Sequence, residues 1–140
     1  MRIDPIYEGI VIDHITAGRG MRIYELLNLD ALGCSVAIIK NVASEKMGKK
    51  DIIKIDADIP LNFDVIGYID PGASINIIRG GKLVSKSNAD MPLTLTNVIK
   101  CKNPRCITTT EQELPHIFKL TDRESGEYRC IYCETKYSGR

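Results

Sequence analysis

In the first two thirds of the chain, apolar positions fall into short runs that polar and glycine-rich segments separate. The run GIVIDHI at residues 9–15 predicts a strand whose end carries the polar pair Asp13 and His14. Similar runs with glycine or polar borders predict four more strands. These strands are expected at residues 34–40, 51–56, 73–78 and 82–86.

Two stretches predict helices, and the first of them shows the three- and four-residue apolar spacing that is typical of a helix. Residues 21–29 carry this spacing, and Thr16 is placed to cap the helix that they predict. A second, shorter helix is predicted to begin at Asn62 or Asp64 and to end near Tyr68, before a proline–glycine break.

The predicted elements follow one another as strand, helix, strand, strand, helix, strand, with one more strand after a hairpin. Residues 41–50 are polar and predict a loop, whereas Gly80 and Gly81 predict a tight turn in which glycine supplies positive φ. This order indicates an α+β protein with a ferredoxin-like antiparallel sheet and two helices on one face. A polar connector then predicts two domains, residues 1–91 and 92–140.

The second domain is too short to build a large apolar core by itself. Residues 94–99 predict a strand, and residues 107–129, including the threonine run 108–110, predict short strands with turns at Pro115 and Ser125-Gly126. A small all-β domain of this size needs a disulfide or a metal ion to stabilise it.

Four cysteines in this second domain have the spacing of a metal site. They form the pattern C-x4-C, then 23 intervening residues, then C-x2-C. Two close pairs bring four sulfur ligands to one point, which suits a tetrahedral Zn²⁺ ion and leaves no coordination position open for substrate. We therefore expect one structural zinc-binding site, and two disulfides in a secreted chain are the alternative. The predicted ligands are Cys101, Cys106, Cys130 and Cys133.

Two other residues of ligand type lie apart from this pattern. His116 falls between the cysteine pairs, where it is either a surface or turn histidine or an additional ligand, although four cysteines already suffice. Cys34 lies in a strand pattern, which favours a small buried apolar side chain over a reactive thiol.

Composition and charge narrow the classes of function. The chain has 140 residues, 44% hydrophobic and 26% charged, with a net charge of +1, as in ordinary globular proteins. It has no apolar run of about 18 residues and no signal-peptide core, so we expect a cytoplasmic protein without a membrane partner.

The segment from residue 100 onward has eight Lys or Arg and six Asp or Glu. Four thiolates and one Zn²⁺ would bring the net charge of this segment to about zero. This balance disfavours a zinc-ribbon nucleic-acid-binding protein, the main alternative function, because such proteins need a basic surface.

Charged residues of the first domain can form an anion site. Asp13 and His14 end the first strand, and lysines flank the third and fifth strands. Several cations can hold a triphosphate and a carboxylate can accept hydrogen bonds from a ribose, although solvated surface lysines are the ordinary alternative. Neither a P-loop nor a dinucleotide-binding glycine motif is present. The lysines concerned are Lys49, Lys50, Lys54, Lys82 and Lys86.

Catalysis is not indicated by any arrangement of residues in the sequence. No nucleophile is paired with a base, and a four-cysteine metal site offers no catalytic position. We therefore predict that the chain is not an enzyme; a small metalloenzyme, a further alternative, would need an open zinc position.

The chain resembles the regulatory chains of aspartate carbamoyltransferase over nearly its whole length. The resemblance is carried first by GIVIDHI at residues 9–15, MGKKDIIKI at 47–55 and ASIN at 73–76. It continues in the metal module with CKNPRC at 101–106 and CIYCE at 130–134. The order of these strings before a paired-cysteine module makes a coincidence improbable.

The resemblance implies a non-catalytic regulatory subunit that acts in pyrimidine biosynthesis. An allosteric domain would bind nucleoside triphosphates, with ATP activating and CTP inhibiting, assisted by UTP. A zinc-binding domain would contact the catalytic chains. A second regulatory chain would complete a homodimer, and three such dimers would bridge two catalytic trimers.

The resemblance also implies which residues bind the effector. Asp13 and Lys54 would contact the ribose, and His14 and Lys86 would contact the phosphates. Lys50 would lie near the phosphates or near a second nucleotide. Residues before the first strand would offer backbone groups to the base. The whole implied set is Asp4, Ile6, Asp13, His14, Lys50, Lys54, Asn76, Leu83 and Lys86.

Overall fold

The computed structural model describes residues 3–137 and divides the chain into two compact units, residues 1–90 and 91–140. Among the residues it describes, no helix is long and apolar enough to cross a membrane. The strands of the first unit are β1 (Gly9–Thr16), β2 (Val36–Ser44), β3 (Gly48–Ile55), β4 (Ser74–Arg79) and β5 (Lys82–Asn88), and its helices are α1 (Gly20–Leu26) and α2 (Phe63–Ile69).

The five strands form one antiparallel sheet with the order β2-β3-β1-β4-β5. The first four strands and the two helices follow the ferredoxin-like sequence of elements, so the predicted fold class is confirmed. β5 is the additional strand of the predicted hairpin. Gly80 and Gly81 connect it to β4 with φ angles of 60° and 75°, which glycine adopts without a Cβ penalty.

Strand alternation gives this sheet a buried face and an outer face. Ile10 and Ile12 of β1 are paired with Ile55 and Ile53 of β3, and all four are buried together with Ile75 of β4. The intervening positions point the other way. We call this opposite side the outer face; a single cross-strand row on it contains Lys54, Val11, Asn76 and Lys86.

Helix α2 begins where the sequence predicts and packs very closely. The Asn62 side chain accepts a hydrogen bond from the Asp64 N–H at 3.1 Å, which satisfies a free donor of the first turn. Residues Val65 through Ile69 are all buried. Gly67 is required within this helix because a Cβ there would overlap the Asp90 carbonyl oxygen.

Helix α1 differs from the prediction at both ends. It ends at Leu26, and residues 29–31 form a separate 3-10 turn. Thr16 does not cap it, since its hydroxyl donates to Asp70 at 2.9 Å. The backbone N–H groups at the start of the helix find their acceptor on a distant strand. Gly18 and Gly20 donate hydrogen bonds to the buried Asp51 of β3 at 3.0 and 3.1 Å.

The prediction of a loop at residues 41–50 is wrong. β2 continues to Ser44 and β3 begins at Gly48, so the two strands form a long hairpin. The bulge between Ile39 and Val42 explains why the apolar pattern fades there: Asn41 adopts a φ of 59°, and its N–H donates to Asp51 at 3.1 Å.

The prediction of Cys34 as a buried strand residue is also wrong, because Cys34 precedes β2 and is half-buried.

The second unit contains a three-stranded antiparallel sheet with the order β6-β7-β8. Its described core is small and consists of Leu95, Ile99, Phe118 and Tyr128 together with three buried cysteines. Two predictions need correction: the first strand ends at Thr96, and the threonine run forms a single helical turn in place of a strand. The elements are β6 (Thr94–Thr96), α3 (Ile107–Thr110), β7 (Ile117–Asp122) and β8 (Glu127–Cys130).

Candidate functional site

The four predicted cysteine ligands converge at one point of the second unit. Their Sγ atoms all lie within 4.8 Å of one another, with Cys101 and Cys133 3.6 Å apart and Cys106 and Cys130 3.7 Å apart. A tetrahedral zinc ion with Zn–S bonds of about 2.3 Å separates its sulfur ligands by about 3.8 Å. A disulfide bond would be about 2.0 Å long. The sulfur positions therefore fit one tetrahedral metal ion and favour it over the alternative of two disulfides.

Two tight turns and one strand end place these sulfurs. Cys106 directly precedes α3 and follows a turn in which its N–H donates to the Asn103 carbonyl at 3.0 Å. Cys130 ends β8, and the Glu134 N–H donates back to the Cys130 carbonyl at 2.8 Å. Glu134 has a φ of 62°, so the backbone folds back sharply after the second pair. Each turn also directs backbone N–H groups at a sulfur.

The acidity of the thiols shows why the cluster suits a cation. Burial raises the pKa of the Cys101 thiol to about 12 and also raises that of Cys130. Burial acts in the same direction on Cys133, but hydrogen bonds from Thr135 and Asn103 outweigh it and lower its pKa to about 6. Four thiolates at this separation repel one another, and a bound metal ion supplies the positive charge that keeps them deprotonated.

Two threonines support the sulfurs and were missed by the sequence analysis. Thr108, which is buried, donates its hydroxyl to Cys106 Sγ at 3.1 Å. Thr135 Oγ1 lies 3.1 Å from Cys133 Sγ and accepts from the Asn103 side chain at 3.0 Å. Both threonines follow the second cysteine of a pair by two residues, so the repeated pattern C-x-T was the available signal.

His116 is outside the sulfur cluster but holds one of its members. Its Nδ1 atom accepts a hydrogen bond from the Cys101 N–H at 3.1 Å, and its own N–H donates to the Asn97 side chain at 2.9 Å. His116 is half-buried in the loop before β7. It therefore positions the backbone of Cys101.

Two of the predicted effector lysines lie in one row on the outer face of the sheet. Cross-strand pairing connects Lys54 to Val11, Val11 to Asn76, and Asn76 to Lys86. Neighbouring strands are about 4.8 Å apart, so the two lysine backbones are about 14 Å apart. Between them the Asn76 side chain donates to the Val11 carbonyl at 3.2 Å. The row thus presents two lysines with Val11 and the polar Asn76 between them.

An ion pair lies beside this row. Lys50 Nζ is 2.9 Å from Asp13 Oδ1, and both side chains are mostly buried, with 15% and 23% exposed. Burial raises the pKa of Asp13, but the hydrogen bond from Lys50, the N–H of His14 and the Lys50 charge together bring it below its ordinary value. Asp13 is therefore a fixed carboxylate at neutral pH.

A bulge in β1 aims the imidazole of His14. The register of β1 against β3 shifts between Ile12 and Ile15, and His14 adopts a φ of 56°. Its Nδ1 atom is 3.0 Å from the Ser74 hydroxyl. When that hydroxyl donates to Nδ1, Nε2 carries the ring proton and can donate to an anion.

Five of the predicted effector residues border two separate hollows. A hollow of about 250 Å³ is bordered by Asp4, Ile6 and Lys54, and a cleft of about 500 Å³ is bordered by His14 and Lys86. Neither of these hollows contains the whole set. The other predicted members are Asp13 and Lys50 in the ion pair, Asn76 in the row, and Leu83, which is 56% exposed and opposite Ile78 on β5.

Comparisons with known proteins assign both units. A family model described as aspartate carbamoyltransferase regulatory chain, allosteric domain, matches residues 1–90, and the corresponding metal binding domain matches residues 94–140. The chain belongs to the family of aspartate carbamoyltransferase regulatory chains.

Individual relatives agree with this assignment over almost their whole length. A regulatory chain from Clostridium tetani is 50% identical over 138 residues, covering 98% of this chain and 96% of the relative. One from Clostridium botulinum is 48% identical over 139 residues, covering 99% and 95%. One from Bifidobacterium longum is 40% identical over 134 residues, covering 96% of each.

Membership in the aspartate carbamoyltransferase regulatory chain family assigns a role to each part of the chain. The family consists of regulatory chains with an allosteric domain, so the catalytic work belongs to the catalytic chain, which is the partner that the name implies. The second unit is a metal-binding domain, and its four converging cysteines are the ligands for one zinc ion. That ion would fix the two cysteine turns relative to each other and, with four sulfur ligands, leaves no position for substrate.

Proposed function

We propose that the outer face of the first unit binds nucleoside triphosphates and that this binding regulates aspartate carbamoyltransferase. CTP and UTP inhibit and ATP activates. The zinc-binding second unit contacts the catalytic chains and transmits the effect. The chain acts in the cytoplasm as a homodimer, with three dimers bridging two catalytic trimers. The boundary between its two domains lies near residue 91 in the sequence.

The main support is the cross-strand row on the outer face. Lys54 and Lys86 lie on either side of Val11 and Asn76, so one cation can contact the ribose of a nucleotide and the other its polyphosphate. Lys54 borders the hollow next to the N-terminal segment, and Lys86 borders the cleft that contains His14. In this arrangement the ribose lies over the row between Lys54 and the cleft, and the phosphates lie in the cleft.

Each predicted residue then has a chemical task. Asp13, fixed by Lys50, accepts hydrogen bonds from the ribose hydroxyls, and Lys54 donates to them. His14 and Lys86 donate to phosphate oxygens. The backbone near Asp4 and Ile6 contacts the base, while Asn76 and Leu83 line the floor and the β5 side.

Allosteric control requires that nucleotides bind two quaternary states with different affinity. A coupling free energy of about 1–3 kcal/mol is typical and suffices for visible regulation. CTP and ATP share the pocket but differ in their bases, so the N-terminal segment that contacts the base is where the two effectors can favour different states.

Lys54 provides the test, and Lys49 provides a matched control on the same strand. Although the sequence grouped Lys49 with the lysines of a possible anion site, it faces the other side of β3 and borders neither hollow, so the proposed site does not include it. We expect Lys54→Gln to weaken CTP and ATP binding to the zinc-loaded chain about tenfold, because a hydrogen bond from a charged group is lost. Lys49→Gln should leave both affinities unchanged in isothermal titration. Equal affinities for the wild type and the Lys54 variant would reject the proposed site.

A further inference from the structure

The turn between β2 and β3 contributes a cation that the resemblance does not include. Lys46 and Met47 of this turn border the same cleft of about 500 Å³ as His14 and Lys86. The cleft is thus bounded on one side by the β1 bulge, on another by β5 and on a third by the hairpin turn. Three basic side chains from three separate elements surround one space.

The hairpin turn is defined by specific contacts. Ser44 and Gly48 are the last paired residues of the hairpin, which leaves a connection of three residues with Lys46 at its centre. The Met47 N–H donates to the Ser44 hydroxyl at 3.2 Å. Gly48 takes a φ of 80°, which turns the chain back into β3. These contacts hold Lys46 at the edge of the cleft.

The lysines of this region differ in their partners. Lys50 forms an ion pair with Asp13. In contrast, Lys46 and Lys86 have no carboxylate within 4.0 Å among residues 3–137. The neutral groups that also border the cleft, Ser74 and Asn88, can supplement these cations with hydrogen bonds.

The carboxylate that borders the cleft is already neutralised. Asp70 is 6% exposed and accepts from the Thr16 N–H at 2.6 Å, from the Thr16 hydroxyl at 2.9 Å and from the Arg19 guanidinium at 3.0 Å. Its charge is therefore balanced within the protein. The remaining charge of the cleft is positive and suits a multiply charged anion.

We propose that Lys46 is a specificity-determining residue that binds the terminal phosphates of the nucleotide and selects triphosphates over monophosphates. This inference rests on the proposed nucleotide site. His14 and Lys86 lie on the sheet and can serve the phosphate nearest the ribose. Lys46 belongs to the hairpin turn, a separate border of the same cleft, and in the proposed arrangement only a longer polyphosphate reaches it.

The experiment compares CTP with CMP, which share the base and the ribose. The zinc-loaded wild type, Lys46→Gln and Lys49→Gln are titrated with each nucleotide at one fixed ionic strength. The Lys46 variant should bind CTP about tenfold more weakly, the loss of one charge-assisted hydrogen bond, and CMP less than twofold more weakly. Lys49→Gln removes the same charge three residues away and should change neither affinity. Zinc content and far-ultraviolet circular dichroism verify that the variants are folded.

Two results would overturn the inference while leaving the nucleotide site intact. One is an unchanged CTP affinity in the Lys46 variant, and the other is an equal loss of CTP and CMP affinity. A wild-type chain that binds neither nucleotide would reject the proposed function itself, and this inference with it.

Discussion

Each of the two units of the chain is stabilised by a different kind of buried group. The first unit packs isoleucines such as Ile12 and Ile53 between a five-stranded sheet and two helices. The second unit buries few apolar side chains and places Cys101, Cys106 and Cys130 in its interior beside Phe118 and Tyr128. A core of that size cannot offset the conformational entropy of folding without further help.

The difference explains where each unit carries its chemistry. In the first unit the apolar face makes the fold, so the outer face is free to carry Lys54, Asn76 and Lys86. In the second unit the metal-binding cysteines themselves form part of the core, where the first unit has apolar side chains. The first unit should therefore fold without metal, and the second should not.

The largest expected effect comes from removing one metal ligand. Cys106→Ala should abolish stoichiometric zinc binding and unfold the second unit, because metal binding contributes about 10–16 kcal/mol in small zinc domains. Hydrogen exchange followed by mass spectrometry should show lost protection in β7 and β8 and retained protection in β1 and β3. Cys34→Ala is the matched control, since Cys34 lies outside the cluster, and it should keep both zinc and protection. Retained protection of β7 in the Cys106 variant would mean that the second unit does not need its metal.

A smaller effect is expected from a cavity in the apolar core. Ile53→Ala should lower the free energy of unfolding of the first unit by about 2–5 kcal/mol, because Ile53 is fully buried between sheet and helices. Zinc content should stay at that of the wild type. Ile52→Ala, on the next position of β3, removes the same atoms from the half-buried outer face and should cost clearly less. Equal losses in urea denaturation would contradict the assignment of the two faces.

The smallest effect concerns the ion pair on the outer face. The pKa of Asp13 in the folded chain is below its ordinary value of about 4. Its ionised form therefore stabilises the folded state above pH 4, and this contribution is lost as the pH falls through the lowered pKa. Asp13→Asn should be less stable than the wild type at pH 6, and the difference should shrink below pH 4. A stability difference that stays constant from pH 6 to pH 3 would show that the carboxylate charge has no part in it.

Much of the fold can be read from local sequence patterns. The strand at residues 9–15 and the helix capped by Asn62 depend on neighbouring residues, so alternation and capping rules locate them. The start of α1 depends instead on Asp51, which is more than thirty residues away along the chain. The same carboxylate holds the bulge at Asn41, and that bulge disrupts the alternation which would have revealed the hairpin.

The two candidate sites differ in the same way. Cysteine spacing fixes the ligands because the metal imposes its own geometry on short turns. The position of Lys46 beside His14 and Lys86 follows from the tertiary path of a hairpin, and no local pattern records it. Thr108 and Thr135 were predictable only in part. Their spacing from a cysteine repeats in the sequence, but only the structure shows that they contact the sulfurs.

The most direct test of the whole account is the aspartate saturation curve of aspartate carbamoyltransferase catalytic chains reconstituted with this chain. We predict that CTP shifts the curve to higher aspartate concentration when the chain is zinc-loaded, and that the shift disappears when the zinc is removed although CTP still binds the first unit. A CTP shift of the same size with the metal-free chain, or no CTP shift with the zinc-loaded chain, would contradict the account.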